Sequence, residues 1–192
     1  MQAVARCRAD DYTKGMLRLY GSLQNKPIVS LRLGGEIAIA HSIIINPHNL
    51  RIIGWWCQAR GESEYLVLLA EDVREIGPGG IAVNDEEALS RPEDLVRHRE
   101  ILDIHFQLMD KPVKTKHQKL GRVGDFSYND DLFIQKLYVL SSMVKVFTNN
   151  DTLIIDRSQI LEVTDHYILV EDSDVKAGAK ERSSTQTEGA AA

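Results

Sequence analysis

The sequence is poor in the residue types that define metal sites, disulfide frameworks and membrane anchors. Its 192 residues include only two cysteines, Cys7 and Cys57, which form neither a C-x-x-C pair nor a metal-binding spacing. It has no run of about 18 apolar residues that could span a membrane as a helix. Charged residues near the N-terminus exclude the apolar core of a signal peptide. We therefore expect free thiols in a soluble, cytoplasmic protein without a transmembrane segment.

Motifs with a known catalytic mechanism are also missing. The sequence has no G-x-S-x-G turn, no G-x-x-x-x-G-K-S/T loop and no H-E-x-x-H pair. Gly77-Pro78-Gly79-Gly80 favours a hairpin turn over a phosphate cradle, because its proline lacks an N–H donor. The sequence thus predicts a non-enzyme without catalytic residues, cofactor or metal site. A small enzyme with a site between two halves, combining for example Glu75 with His166, stays an alternative.

The charge balance disfavours direct nucleic-acid binding. The formal net charge is −5, and no stretch of the chain is strongly basic. Nucleic-acid-binding domains usually carry a clustered basic face. A mildly acidic surface is compatible with a protein partner, although it is also common for solubility alone.

What the sequence does contain is an internal similarity. Lys26-Pro27-Ile28-Val29 returns as Lys111-Pro112-Val113, and Val73-Arg74-Glu75-Ile76 returns, at nearly the same spacing, as Ile160-Leu161-Glu162-Val163. This spacing exceeds the roughly 20 to 50 residues of solenoid and propeller repeats. It predicts two copies of one small domain.

Strand signals dominate both copies. Short β-branched and apolar runs alternate with turn residues such as Gly34-Gly35 and Asn46-Pro47. Between the copies, Ser90-Arg91-Pro92-Glu93 fits the capping box of a helix. The predicted organisation is a loosely ordered N-terminus, a first barrel, a linker helix, a second barrel and a disordered tail. These occupy residues 1–16, 17–88, 89–105, 106–174 and 175–192.

In their order, the motifs of both copies resemble the PRC-barrel family, and the resemblance covers most of the chain. One departure is Ala38, which stands where the family usually has a second turn glycine. The residues that carry the resemblance are Lys26-Pro27-Ile28-Val29-Ser30, Gly35-Glu36-Ile37, Asn46-Pro47 and Glu71-Asp72-Val73-Arg74-Glu75-Ile76-Gly77 in the first copy, Pro92-Glu93-Asp94-Leu95-Val96 in the linker, and Gly121-Arg122-Val123-Gly124-Asp125, Ile134-Gln135-Lys136-Leu137-Tyr138-Val139 and Ile155-Asp156-Arg157-Ser158-Gln159-Ile160-Leu161-Glu162-Val163 in the second.

The resemblance implies an all-β protein of two small PRC-like barrels in tandem. PRC-barrels occur in the H subunit of photosynthetic reaction centres and in the ribosome maturation factor RimM, where their shared role is docking onto larger assemblies. We therefore expect a non-enzymatic module for protein interaction or assembly. A ribosome or RNA maturation factor is the alternative by analogy with RimM, and homo-oligomerisation stays open.

Five residues are candidates for contact with a protein partner. Trp55 and Trp56 are adjacent on a predicted strand, so their side chains should point to opposite faces. Tyr138 takes a similar outward place in the second copy. Met143 and Phe147 lie in a connection from 141 to 149 that is too apolar for a free loop. Exposed aromatic residues concentrate at the energetic centres of interfaces.

Overall fold

The computed structural model describes residues 17–141 and 152–172. The predictions for residues 1–16, for the tail at 175–192 and for Met143 and Phe147 fall outside these ranges. The predicted all-β class is confirmed, since the described chain forms two sheets and one short α-helix, α1 (Arg99–Ile104). In chain order the strands are β1 (Arg18–Leu19), β2 (Lys26–Ser30), β3 (Gly35–Asn46), β4 (Arg51–Ala59), β5 (Tyr65–Leu69), β6 (Val73–Gly77), β7 (Gly80–Val83), β8 (Leu89–Ser90), β9 (Pro112–Lys114), β10 (Lys119–Tyr128), β11 (Ile134–Ser141), β12 (Thr152–Asp156), β13 (Ile160–Val163) and β14 (Ile168–Val170).

The two sheets have corresponding strand orders. The first runs β6-β7-β2-β3-β4-β5-β8, and the second runs β13-β14-β9-β10-β11-β12, with β1 added beside β10. Each sheet contains one parallel pair at the same place in its order, β2 with β7 and β9 with β14. Each also has a 3₁₀ turn before its last hairpin, at Ala70–Asp72 and at Arg157–Gln159.

Asparagine side chains shape the hairpin turns that join β3 to β4 and β10 to β11. Oδ1 of Asn46 accepts a backbone N–H two residues further on at 3.0 Å, and Oδ1 of Asn129 accepts the N–H of Phe133 at 2.8 Å. Such bonds let asparagine stand in for part of the turn backbone. Each turn then places a leucine in the left-handed region, Leu50 at φ 51° and Leu132 at φ 63°.

The same two turns join the sheets to each other. The N–H of Ile52 donates to the carbonyl of Leu132, and the N–H of Ile134 donates to the carbonyl of Leu50, both at 2.9 Å. Around this reciprocal contact a single apolar core contains buried residues of both sheets. Its largest side chains are Trp55, Tyr128 and Phe126. The two halves therefore share one core.

The segment at the start of the described chain crosses to the second sheet. It was predicted as part of the first barrel, yet β1 pairs with the end of β10. Just after it, the Tyr20 ring stacks on Phe126 at 4.8 Å, and the hydroxyls of Ser22 and Tyr128 are 2.9 Å apart. This strand pairing is long-range, so no local pattern announces it.

The linker differs from the single capped helix that was predicted. It consists of β8, two 3₁₀ turns at Pro92–Asp94 and Val96–His98, and then α1. The predicted capping box does not form, because Ser90 lies in β8 and pairs with Val67 of β5. Among residues 17–141 and 152–172, no helix is long and apolar enough to cross a membrane.

Candidate functional site

The two adjacent tryptophans of β4 lie on opposite faces of the first sheet. Trp55 is fully buried in the shared core, where it fills volume that no partner can reach in the folded chain. Trp56 is half-buried on the other face, packed against a small cluster that includes Leu102 of α1. Its ring stacks on that of His105, with centroids 6.0 Å apart and planes 25° apart. Of the pair, Trp56 therefore has the ring that reaches the surface.

Beside Trp56 lies a cleft of about 570 Å³, which we call the aromatic cleft. Ligand sites in proteins commonly enclose about 300 to 1,000 Å³ and are mainly apolar. The wall residues come from β3, β4, β5, α1, the segment that follows α1, and the stacked pair of Tyr20 and Phe126, of which Phe126 belongs to β10. They are Tyr20, His41, Ser42, Ile43, Ile44, Ile45, Trp56, Tyr65, Ile101, Leu102, His105, Phe106, Gln107, Leu108, Met109 and Phe126.

The polar side chains that the structure describes in the aromatic cleft carry no fixed charge. Among the described residues that line it there is no aspartate, glutamate, lysine or arginine. Its polar side chains include His41, His105 and Gln107, all of which can donate a hydrogen bond from nitrogen. The walls thus offer several hydrogen-bond donors beside apolar side chains, and of these His105 and Gln107 are exposed.

Aromatic contacts fix the walls of the aromatic cleft. The rings of His41 and Tyr65 meet edge to face at 6.2 Å, and Tyr20 is held by its stack on Phe126. Burial raises the pKa of the Tyr20 hydroxyl, although a hydrogen bond from Gln24 partly opposes this. Tyr65 is 55 % exposed, so its ring is open to a partner.

The positions of His41 and Tyr65 follow from strand register. A bulge in β3 falls between Ala40 and Ser42, so His41 interrupts the alternation of the strand. Tyr65 faces Gln58 of β4, which in turn faces Ile39 of β3. Neither residue was predicted from the sequence to belong to a site. The available signal was the polar His41-Ser42 pair inside the apolar run of β3, but this pair does not reveal a cleft by itself.

A second recess of about 400 Å³ adjoins the aromatic cleft and contains Lys111. The Lys111 Nζ donates to the carbonyl of Asp165 at 2.7 Å and lies 4.5 Å from the centre of the Phe106 ring. Burial lowers the pKa of this amine, and the charge of Asp165 partly offsets the effect. Lys26 of the first sheet donates in the same way to the carbonyl of Pro78, at 3.4 Å. In each sheet the lysine of the repeated Lys-Pro pair therefore bonds to the turn of the last hairpin, β6–β7 in the first sheet and β13–β14 in the second.

The structure does not bring the proposed catalytic pair into the aromatic cleft. Glu75 is exposed on β6 and His166 is exposed in the β13–β14 turn, and neither lines either cavity. Within the part of the chain that the structure describes, no group of three or more His, Cys, Asp or Glu side chains could hold a metal ion. Burial raises the pKa of the Cys57 thiol to about 12, against a smaller lowering by a backbone hydrogen bond at Leu68. Cys57 is therefore an unreactive core residue.

Tyr138 lies away from the aromatic cleft, on the outward face of β11. It is half-buried and directly faces Ile154 of β12. Ile154 and Leu140 on the same face are 56 % and 54 % exposed. Of the candidate contact residues that the structure describes, Trp55 is buried in the core, whereas Trp56 and Tyr138 lie at separate surfaces, one on each sheet.

Comparison with known proteins gives no family assignment. No family model matches the chain. No curated protein matches it either.

Proposed function

We propose that this chain is a cytoplasmic, non-enzymatic protein-interaction module built on two PRC-like barrels. Its aromatic cleft binds an apolar segment of a partner protein. The observation that carries the proposal is a cleft of about 570 Å³ whose described walls are mainly aromatic and aliphatic and include no side chain with a fixed charge. The duplicated strand order, with its matching parallel pairs and lysine ties, supports the tandem arrangement.

The chemistry of the walls selects the partner segment. The side chains of Trp56, Tyr65 and Phe106 offer apolar area to aliphatic or aromatic residues of a peptide. His41, His105 and Gln107 can donate hydrogen bonds, and the described lining residues include no carboxylate to balance a bound cation. We therefore expect an apolar segment with a carboxylate or another acceptor, and we expect a lysine at the same place to be rejected.

Peptide binding tests this selection. Each peptide of a synthetic array should combine two leucine or phenylalanine residues with one glutamate. A matched set should have lysine in place of the glutamate. Binding can be followed by the fluorescence of Trp56, since Trp55 is shielded in the core. The glutamate peptides should bind more tightly as a class, and Tyr65→Ser should weaken them about tenfold, the loss of roughly 1.4 kcal/mol that one interface aromatic can supply.

Leu33→Ser is the matched control, because Leu33 is also exposed (57 %) but does not line the aromatic cleft. Equal binding of the lysine and glutamate peptides would contradict the proposal. So would an equal loss of affinity in Leu33→Ser and Tyr65→Ser.

Affinity capture from the source cells, with and without nuclease, separates this function from RNA maturation. A nuclease-resistant partner that is retained by Leu33→Ser and lost with Tyr65→Ser supports docking in the cleft. Ribosomal proteins that disappear after nuclease treatment, and that Tyr65→Ser still captures, support the maturation factor instead.

A further inference from the structure

The strands at the ends of the two strand orders, β6 and β8 in the first sheet and β13 and β12 in the second, differ in how they are protected against pairing with another strand. Unpaired edges invite such pairing, and proteins block it with bulges, charged side chains or very short strands. In the first sheet, β6 has a register shift and the exposed charges Arg74 and Glu75, while β8 is two residues long. In the second sheet, β13 has a register shift and Glu162.

The edge strand β12 has neither a register shift nor a two-residue length, and its one charge, Asp156, lies at its last residue. Its sequence is Thr-Leu-Ile-Ile-Asp, and its five residues pair with β11 in unbroken register. Among the residues that the structure describes, no strand pairs with its other side. On the outward face, Ile154 is flanked by the exposed Leu140 and by Tyr138. An apolar patch therefore extends to an edge that no described strand covers.

We propose that β12 pairs with β12 of a second copy of this chain, antiparallel and centred on Ile154. The second sheets of two chains then join into one sheet across a twofold axis. This inference does not rest on the aromatic cleft, whose walls contain no residue of β11 or β12.

The strand β12 is self-complementary in this arrangement, which favours a second copy as its partner. In an antiparallel pair centred on Ile154, this exposed isoleucine faces its own copy, and Thr152 faces Asp156 of the other chain. The only charge of β12 thus meets a hydroxyl that can donate to it. Self-pairing of β6 about its central residue would instead oppose Glu75 with Glu75, and like charges directly opposite are destabilising.

The register makes a sharp prediction for cysteine cross-linking. Directly opposed residues of antiparallel strands have Cα atoms about 4.5 to 5.5 Å apart, within the range of a disulfide. Ile154→Cys should therefore form a covalent dimer on mild oxidation. Thr152→Cys should not, because the two copies of that residue lie about 13 Å apart along the strands. Both variants should carry Cys7→Ser, so that Cys7 cannot form the cross-link. Cys57 can be kept because it is buried.

Sedimentation or light scattering of the full chain then tests the association itself. At high micromolar concentration the wild type should approach twice the 21.6 kDa mass of one chain. Ile154→Lys should return it to the mass of one chain. The control is Leu161→Lys, since Leu161 is also exposed (49 %) but lies on the protected edge β13, and this variant should dimerise like the wild type.

Several results would overturn the proposal. These are a wild type that is monomeric at every concentration, a dimer that Ile154→Lys leaves intact, or a Thr152→Cys chain that cross-links as readily as Ile154→Cys. A monomer that pairs only with a different protein would assign the edge to a foreign strand. The cross-linking result stands even where a lysine variant folds poorly, and peptide binding in the cleft is measured separately.

Discussion

Arg157 is the side chain whose loss should most directly loosen the contact between the two sheets. Its Nη2 donates to the carbonyl of Asn49, in the β3–β4 turn of the first sheet, at 2.7 Å. Its Nη1 donates to the carbonyl of Ile134 at 3.3 Å, and its guanidinium carbon lies 5.0 Å from the centre of the Phe133 ring. Arg157→Ala removes all three contacts at once.

The expected cost follows from these contacts. A hydrogen bond from a charged donor contributes about 1.5 kcal/mol at the lower end of its range, which suits a bond near the surface. The contact with the ring adds about 0.5 kcal/mol at a partly exposed site, and the longer bond to Ile134 adds little. We therefore expect Arg157→Ala to lower the free energy of unfolding by about 2 kcal/mol.

Arg51 provides the matched control, because its guanidinium carbon lies 5.4 Å from the centre of the same Phe133 ring. Arg51→Ala should remove only the ring contact and cost about 0.5 kcal/mol. Urea denaturation followed by tryptophan fluorescence measures both variants. A loss in Arg157→Ala no larger than that in Arg51→Ala would refute the idea that the bond to Asn49 joins the sheets.

Two further predictions concern turns. Gly80→Ala should lower the free energy of unfolding by about 2 to 4 kcal/mol, because Gly80 has φ 137° and an added Cβ would lie 2.3 Å from the carbonyl oxygen of Pro27. The control is Gly79→Ala, whose added Cβ meets nothing within 4 Å. This variant should stay within about 0.5 kcal/mol of wild type in the same urea assay. Asp156 accepts hydrogen bonds from the backbone and side chain of Ser158, which lower its pKa. Its contribution is therefore complete above the unfolded-state pKa and is lost as the pH falls through the folded-state value. Asp156→Asn should be less stable than wild type by under about 1 kcal/mol at neutral pH, and the gap should narrow as the pH falls below the ordinary aspartate pKa of about 3.9. A pH-independent gap, or equal losses for the two glycine variants, would contradict these assignments.

The sequence supports the all-β class and the positions of its turns, because their signals are local. The β-branched runs of β3 and β4 and the asparagine turn between them can be recognised without knowing their partners. The same is true of the opposite faces of Trp55 and Trp56, since alternation is a property of one strand.

The pairing of short strands could not be predicted in this way. β1 and β8 are two residues long, too short to show any periodicity. Ser90 illustrates the competition, because its sequence context favours a capping box while its backbone pairs with Val67 in the folded chain. The aromatic cleft is similarly non-local, since His41, His105 and Phe126 come from three distant parts of the chain.

The two proposed surfaces lead to a joint expectation. The aromatic cleft lies beside the first sheet and α1, whereas β12 lies at the edge of the second sheet, and no residue is shared between them. Binding in the cleft therefore does not compete with pairing at β12. A dimer joined through β12 would present two clefts. Once a partner with two apolar segments has bound one cleft, its second segment would bind the other cleft at a high effective concentration. Ile154→Lys should then weaken the binding of such a divalent partner while leaving a single peptide unaffected. Tyr65→Ser should weaken both.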